Sequence, residues 1–288
     1  MRPFHARSES VGVAGDSPTR QWLAHLVLLV GVFFLLTPIA LILFASTHDT
    51  GTLQTKGLPW FFGEYGVDNY KRLWFSQRGF TDQVTPMTML QNSVIVASGV
   101  AMFTTAFSLL SAYAIVFFKM RYSGLLFWLI LTTLLFPLES RFVTTFHVTS
   151  SLGLINTHLG IILPTVAAAL GTFFFRQFYL TLPKELIEAA MLDGAGSVKF
   201  LIDIVIPLSI SRAGAVFVIA FMIGWNQYLW PLMISTDDSL YTLVRGIRLI
   251  GQESGPGMAL VMLTLAPPFI LLLMFQRWFF NSLADLHR

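Results

Sequence analysis

Apolar residues along this chain gather in long runs that carry almost no charge, and shorter polar stretches separate one run from the next. A helix crossing a bilayer needs about 20 predominantly apolar residues, because each advances 1.5 Å through a hydrocarbon layer about 30 Å thick. On that measure the runs predict six transmembrane helices, at residues 21–46, 89–118, 125–138 (most of the third), 160–179, 208–234 and 258–280. Trp22 suits the interface at the start of the first, Pro38 predicts a kink in it, and His25 an interfacial contact. Residues 1–20 read as a cytoplasmic N-terminal tail, 47–85 as an extracytoplasmic connection rich in glycine and aromatics, and 86–288 as a core holding the other five spans. Ser108, Ser111 and Ala112 are small enough to let neighbouring helices approach the second span closely.

The second half contains one substantial polar segment, residues 183–207. Pro183 is placed to start a helix, since the first turn leaves its amides unpaired and proline has none to lose. Glu185, Glu188, Ala189 and Ala190 continue it with good helix formers. Gly194 and Gly196 suit a helix end and a sharp turn, and Pro207 opens the next apolar run. The pattern predicts a short surface helix, a turn and a return into lipid.

Composition supports this picture. The chain has 288 residues, 55% hydrophobic and 11% charged, with a mean hydropathy of +0.70. A soluble domain carries about 25% charged residues. The net charge of +3 is too small to read as a nucleic-acid footprint. With no cysteine, disulfides, thiolate metal sites and thiol catalysis are excluded. The first apolar run is too long for a signal-peptide core and is expected to remain as a span.

Orientation follows from basic residues. With both termini inside, the cytoplasmic segments hold Arg2, Arg7, Arg20, Lys119, Arg121, Arg176, Lys184, Lys199, Arg212, Arg277 and Arg288. The outer ones hold Lys56, Lys71, Arg72, Arg78, Arg141, Arg245 and Arg248. The excess favours a cytoplasmic N-terminus and C-terminus, and it places 183–207 on the cytoplasmic side.

No catalytic set presents itself. There is no phosphate loop with its lysine, no zinc-ligand spacing and no nucleophile elbow. The candidates are instead binding residues. Trp225, Asn226 and Tyr228 are read as lying inside the fifth span, with Trp225 and Tyr228 sharing a face. Amides at membrane depth either line a wet pathway or bond across helices. Glu139 and Arg141 border the third span, either as a mutual ion pair or as a site, where the arginine fork suits phosphate. Arg245 and Arg248, outside the fifth span, add positive potential or meet a binding protein.

Glu188-Ala189-Ala190, then Gly194, Ile204 and Pro207 at fixed intervals, resemble the EAA loop of ABC importer permeases. Asn69-Tyr70, Asn92-Ser93, Ala112-Tyr113-Ala114 and the Leu152 to Thr157 turn are similar to stretches of the sugar-type, binding-protein-dependent members, while Ser111 to Val116, the Pro137 to Arg141 region, Phe175 to Phe178 and Gly224 to Leu232 together resemble the glycerol-3-phosphate and glycerophosphodiester branch. Gly196, where serine is usual, and Ser211, where proline is common, depart from the pattern. The resemblance implies an all-α, six-span, type I ABC importer permease in the bacterial plasma (inner) membrane. It implies a second homologous permease, an ATPase dimer holding ATP and magnesium, an extracytoplasmic substrate-binding protein and surrounding lipid. It assigns ATPase coupling to Glu185, Glu188, Ala189, Ala190, Asp193 and Gly194, with Ala189 and Ala190 keeping one face slim, and no cofactor to this chain itself. Alternatives are the same role for an uncharged oligosaccharide of the trehalose or maltose type, or a stand-alone secondary transporter. The latter would want acids inside the spans, which are nearly free of them apart from Glu139.

Overall fold

The computed structural model describes residues 18–75, 84–118, 120–166, 168–250 and 254–284. Residues 1–17 of the expected tail, Arg78, Lys119 and Arg288 lie outside the described residues, as do the side chains of Glu139 and Arg277. Among the described residues the chain is all-helical: α1 (Pro18–Ala45), α2 (Thr50–Lys56), α3 (Gly66–Phe75), α4 (Pro86–Phe117), α5 (Ser123–Thr132), α6 (Phe142–Ser151), α7 (His158–Ile162), α8 (Ala168–Leu180), α9 (Lys184–Leu192), α10 (Ser197–Phe200), α11 (Ile206–Trp225), α12 (Leu229–Ile234), α13 (Leu243–Ile250) and α14 (Gly255–Ala284).

Four helices are long and apolar enough to cross a membrane: Thr19–Ala45, Pro86–Phe117, Ser197–Trp225 and Gly255–Gln276. A fifth is added if the bent pair His158–Thr165 and Ala168–Leu180 is one span. The most apolar window of α1 is 0% buried, and Trp22, Phe33 and Phe34 are more than two-thirds exposed. Such a surface is stable only against lipid or another subunit.

Three expected spans differ from the structure, each for an identifiable reason. The third stops early: α5 passes into a 3-10 turn at Thr133–Leu135, and Phe136 is extended (φ −92°, ψ 115°), as a residue before proline prefers. The fourth bends by 50° between its halves. Pro164 sits at the bend within a 3-10 turn and brings no N–H for the carbonyl of Gly160, one helical turn back. The Trp230 indole donates to that carbonyl instead, at 3.1 Å. The fifth begins earlier and ends sooner than expected. Its helix runs from Ser197 to Trp225, and Asn226 to Tyr228 separate it from the short α12.

α4 is the central post. Ser108 on α4 is fully buried and donates to the Ala168 carbonyl at 2.8 Å. A Cβ on Gly224 of α11 would stand 3.1 Å from the Ala97 Cα and 3.0 Å from the Val100 Cβ, so here glycine permits the close approach of two spans. Apolar packing concentrates at the two ends of this bundle. One cluster joins Leu109, Ala112, Tyr113, Phe175, Tyr179, Ala190, Phe200, Val205 and Val216. Another joins Met89, Ala97, Phe221, Trp225, Leu243 and Leu260 with α3. The connection before α4 is tied down by Asn69, 2% exposed, whose Nδ2 donates to the carbonyls of Ser46 and His48 at 2.9 and 2.8 Å. The Asn69-Tyr70 stretch thus serves as a clasp on the end of α1.

Candidate functional site

At one end of the bundle, α9 and α10 form a compact surface unit. After Leu192, Asp193 N–H donates to the Ala189 carbonyl at 3.0 Å and Ala195 N–H reaches back to Ala190 at 2.9 Å. Gly194 adopts φ +74°. This is a left-handed helix closure in which a C″ amide satisfies an orphan carbonyl. No atom lies within 4 Å of where a Gly194 Cβ would stand. The backbone conformation alone asks for glycine there. Gly196 has φ −71° and ψ 167°, open to any residue, so of the two expected turn glycines only Gly194 is required.

The faces of α9 divide cleanly. Glu185, Glu188, Ala189, Leu192 and Asp193 are exposed, Leu192 at 89%. Ala190 is 6% exposed and packs inward, with Ile187 beside it. The expected single slim face of Ala189 and Ala190 is therefore overturned: neighbours on a helix stand about 100° apart, and Ala190 belongs to the core. Tyr113 on α4 locks the unit, its hydroxyl donating to the Ser197 carbonyl at 2.6 Å and its ring lying 6.4 Å from Phe200. α10 continues through a π turn at Leu201–Val205 into α11, with Ile206 N–H donating to Leu201. The wider turn lets Pro207 sit in a helix that does not stop.

Toward the other end, the helix breaks enclose a cavity of about 300 Å³. Arg141, Asn226 and Tyr228 line it. Gln227, the second amide at that depth, shares the wall, and so do Phe142, Thr145, Thr165 and Trp230, which the sequence pattern misses. Trp230 offers one signal, since tryptophan in a polar-flanked run seeks an indole acceptor. Asn226 Nδ2 is engaged with the Met222 carbonyl at 2.9 Å, capping the end of α11. The Gln227 amide nitrogen makes no hydrogen bond. Glu139 lies in a 3-10 turn, Leu138–Arg141, so the expected ion pair with Arg141 falls outside the described side chains.

Trp225 does not belong to this wall. It is 2% exposed, stacks on Phe221 at 5.7 Å and donates to the Thr264 carbonyl at 3.1 Å. The expected face shared with Tyr228 is overturned, because the helix ends between them. Thr264 is the carbonyl that Pro268, one turn on in α14, leaves without a donor. Trp225 thus does for Pro268 what Trp230 does for Pro164.

The two outer arginines also separate. Arg245 is 8% exposed, bonds the Pro231 and Ser235 carbonyls at 3.2 and 2.6 Å, and lies 3.6 Å over the Tyr241 ring. It ties α13 to the end of α12 and is not available at the surface, contrary to expectation. Arg248 is exposed and stands 5.2 Å from the centroid of Tyr228. The loop between α12 and α13 is closed by Asn156, a left-handed residue (φ 57°), whose Oδ1 accepts the amides of Thr236 and Asp237 at 2.7 and 3.2 Å. Hydrogen bonds from Ser239 hold the Asp237 carboxyl below the ordinary aspartate range. Asn92 adds a second stitch, donating to the carbonyls of Ser239 and Tyr241 at 2.7 and 3.0 Å.

Comparison with known proteins fixes the family. The sn-glycerol-3-phosphate transport system permease protein UgpE of Yersinia pestis bv. Antiqua (strain Antiqua) is 41% identical over 268 residues, 91% of this chain and 95% of that protein. The chain belongs to the UgpE family. UgpE of Escherichia coli O157:H7 is 39% identical over 275 residues, covering 92% of this chain and 98% of its own length. A chain from the crystal structure of a bacterial ABC transporter involved in the import of the acidic polysaccharide alginate superposes with a TM-score of 0.76, at 18% identity and over 96% of this chain and 100% of that one. The UgpE-family chain therefore shares that transporter's fold. No family model matches the chain. As a UgpE-family member it is a multi-pass permease subunit of an ABC transport system in the inner membrane and not itself an enzyme.

Proposed function

We propose that this chain is one of two homologous permease subunits of an ATP-driven importer for glycerol-3-phosphate or a glycerophosphodiester. Six spans cross the bacterial inner membrane, with both termini in the cytoplasm. The observation that carries the reading is the 41% identity, over nearly the whole length, to a permease protein named for sn-glycerol-3-phosphate transport. The cavity supports it: the Arg141 guanidinium can grip a phosphoryl group with two bonds, and Thr145, Asn226 and Gln227 offer polar atoms to hydroxyls. Six spans are supported by the four long helices, the bent pair taken as one, and the shorter apolar stretch Ser123–Leu135. The basic-residue bias supports the orientation, and with it residues 183–207 face the cytoplasm.

Coupling then follows from the surface unit. Glu185, Glu188, Ala189, Leu192 and Asp193 meet an ATPase dimer, which supplies ATP and magnesium. Ala190 and Gly194 hold the shape of the segment that meets it. Because Tyr113 and the apolar cluster fasten α9 and α10 to the bundle, closure of the dimer moves helices as bodies and turns the cavity from one side to the other. An extracytoplasmic binding protein delivers the cargo, and the second permease completes the pathway.

The test is Gly194→Val in the complete transporter. A β-branched residue at φ +74° deforms the α9 end. Uptake of labelled glycerol-3-phosphate is expected to fall more than tenfold while ATP hydrolysis persists without substrate stimulation. Intact uptake with stimulated hydrolysis overturns the coupling role. A wild-type transporter that takes up neither glycerol-3-phosphate nor a glycerophosphodiester overturns the cargo.

A further inference from the structure

Only one cation, Arg141, contributes directly to the described cavity wall. A second stands one ring away. Arg248 on α13 lies 5.2 Å from the centroid of Tyr228, and Tyr228 is part of that wall. Three residues earlier, Arg245 has its guanidinium engaged by two carbonyls and the Ser235 hydroxyl. Arg248, by contrast, is exposed, and among the described residues no carboxylate pairs with it. The Asp237 carboxylate is turned to the Ser239 amide at 2.9 Å.

We propose that Arg248 is a second anion-selecting group of the cavity, acting across the Tyr228 ring, so that the site reads negative charge from two sides. The inference rests on the cargo reading above and extends it to a residue outside the wall. A guanidinium within 6 Å of an aromatic centroid is attracted to the ring, so Arg248 is held near the wall. An anion against the far face of that ring stands a few ångströms beyond this 5.2 Å, a separation on the order of the Debye length of about 8 Å. The intervening material is an aromatic ring in a partly buried setting, where screening is weak compared with water. An anion entering beside Tyr228 therefore meets Arg141 directly and the field of Arg248 through the ring. Arg248 is a positioning and field-setting residue.

The chain contains no cysteine, so an introduced thiol reports one place on this subunit. In the complete transporter in membrane vesicles, Thr145→Cys, in the cavity wall, is labelled with an anionic and with a cationic methanethiosulfonate. The ratio of the two rates reads the sign and size of the local potential. Adding Arg248→Gln is expected to lower the anionic-to-cationic ratio roughly threefold to tenfold. Arg248→Lys is expected to preserve it, and the Gln effect is expected to shrink in 0.5 M salt, at roughly the ionic strength where screening lengths approach 4 Å. A ratio that stays within twofold on Arg248→Gln while Arg141→Gln lowers it overturns the inference. A ratio moved by neither substitution overturns it together with the anion-gripping role of Arg141. An expected shift at Arg248 in a transporter that takes up neither glycerol-3-phosphate nor a glycerophosphodiester leaves the inference standing and removes the cargo assignment.

Discussion

The two ends of this bundle are finished in opposite ways. At the α9 end the helices stop on local terms: left-handed Gly194 closes α9 so that the Asp193 and Ala195 amides return to the carbonyls of Ala189 and Ala190, four and five residues back, and charged side chains are left exposed. Toward the cavity the backbone carbonyls left over by prolines are satisfied on distant terms. Pro164 and Pro268 each strand a carbonyl, and tryptophans from elsewhere in the chain, Trp230 and Trp225, reach in to bond them at 3.1 Å. The first end is a self-contained part that, under the proposed coupling, keeps its shape while being pushed. The second is held together across helices, so its hollow depends on how those helices stand relative to one another. A permease needs both: a stiff contact where force arrives and an adjustable enclosure where cargo sits.

This contrast can be broken by substitution. The largest effect is expected at the cross-helix bond. Trp225→Phe keeps most of the ring volume but orphans the Thr264 carbonyl, which should cost about 1–3 kcal/mol in thermal unfolding of the detergent-solubilised protein. Pro268→Ala supplies an amide one turn from Thr264, so the double variant should recover most of that loss. A purely additive double variant would show that the indole bond is not what replaces the missing amide. A middle effect separates the two glycines: Gly194→Ala should cost about 1 kcal/mol for an L-residue at positive φ, whereas Gly196→Ala should be neutral or slightly stabilising. Equal melting shifts would contradict the closure described for α9. The smallest effect on stability is expected at Leu192→Ser, within about 0.5 kcal/mol because the side chain is already exposed. The same change should weaken co-purification of an ATPase subunit, and unchanged co-purification would remove Leu192 from the docking face.

The difference between the ends also decides what can be read from the sequence. Pro183, the Glu-Ala-Ala run and Gly194 obey short-range rules of helix start and stop, so the surface helix and its closure are legible from neighbouring residues alone. The apolar runs likewise mark α1, α4 and α14 nearly at their observed limits. The break at Asn226 to Tyr228 is hidden because Leu229, Trp230, Leu232 and Ile234 extend the apolar pattern past the end of the helix. Arg245 misleads because its partners, the Pro231 and Ser235 carbonyls, exist only once α12 folds against α13. Of the cavity wall, Arg141, Asn226 and Tyr228 announce themselves by polarity. Phe142 and Trp230 do not, since an aromatic beside a cavity carries no sequence signature that sets it apart from one in a core.

The helix that leaves Ser197 and ends at Trp225 has 29 residues, which at 1.5 Å each makes a strut about 44 Å long. A tilt of about 5° at its Ser197 foot swings the far tip by about 4 Å, comparable to the width of a small solute. Its single irregularity, the π turn before Pro207, lies near the foot. Under the coupling proposed above, the strut is hinged where it is driven and straight where it must reach, so a modest stroke arrives at Asn226 enlarged.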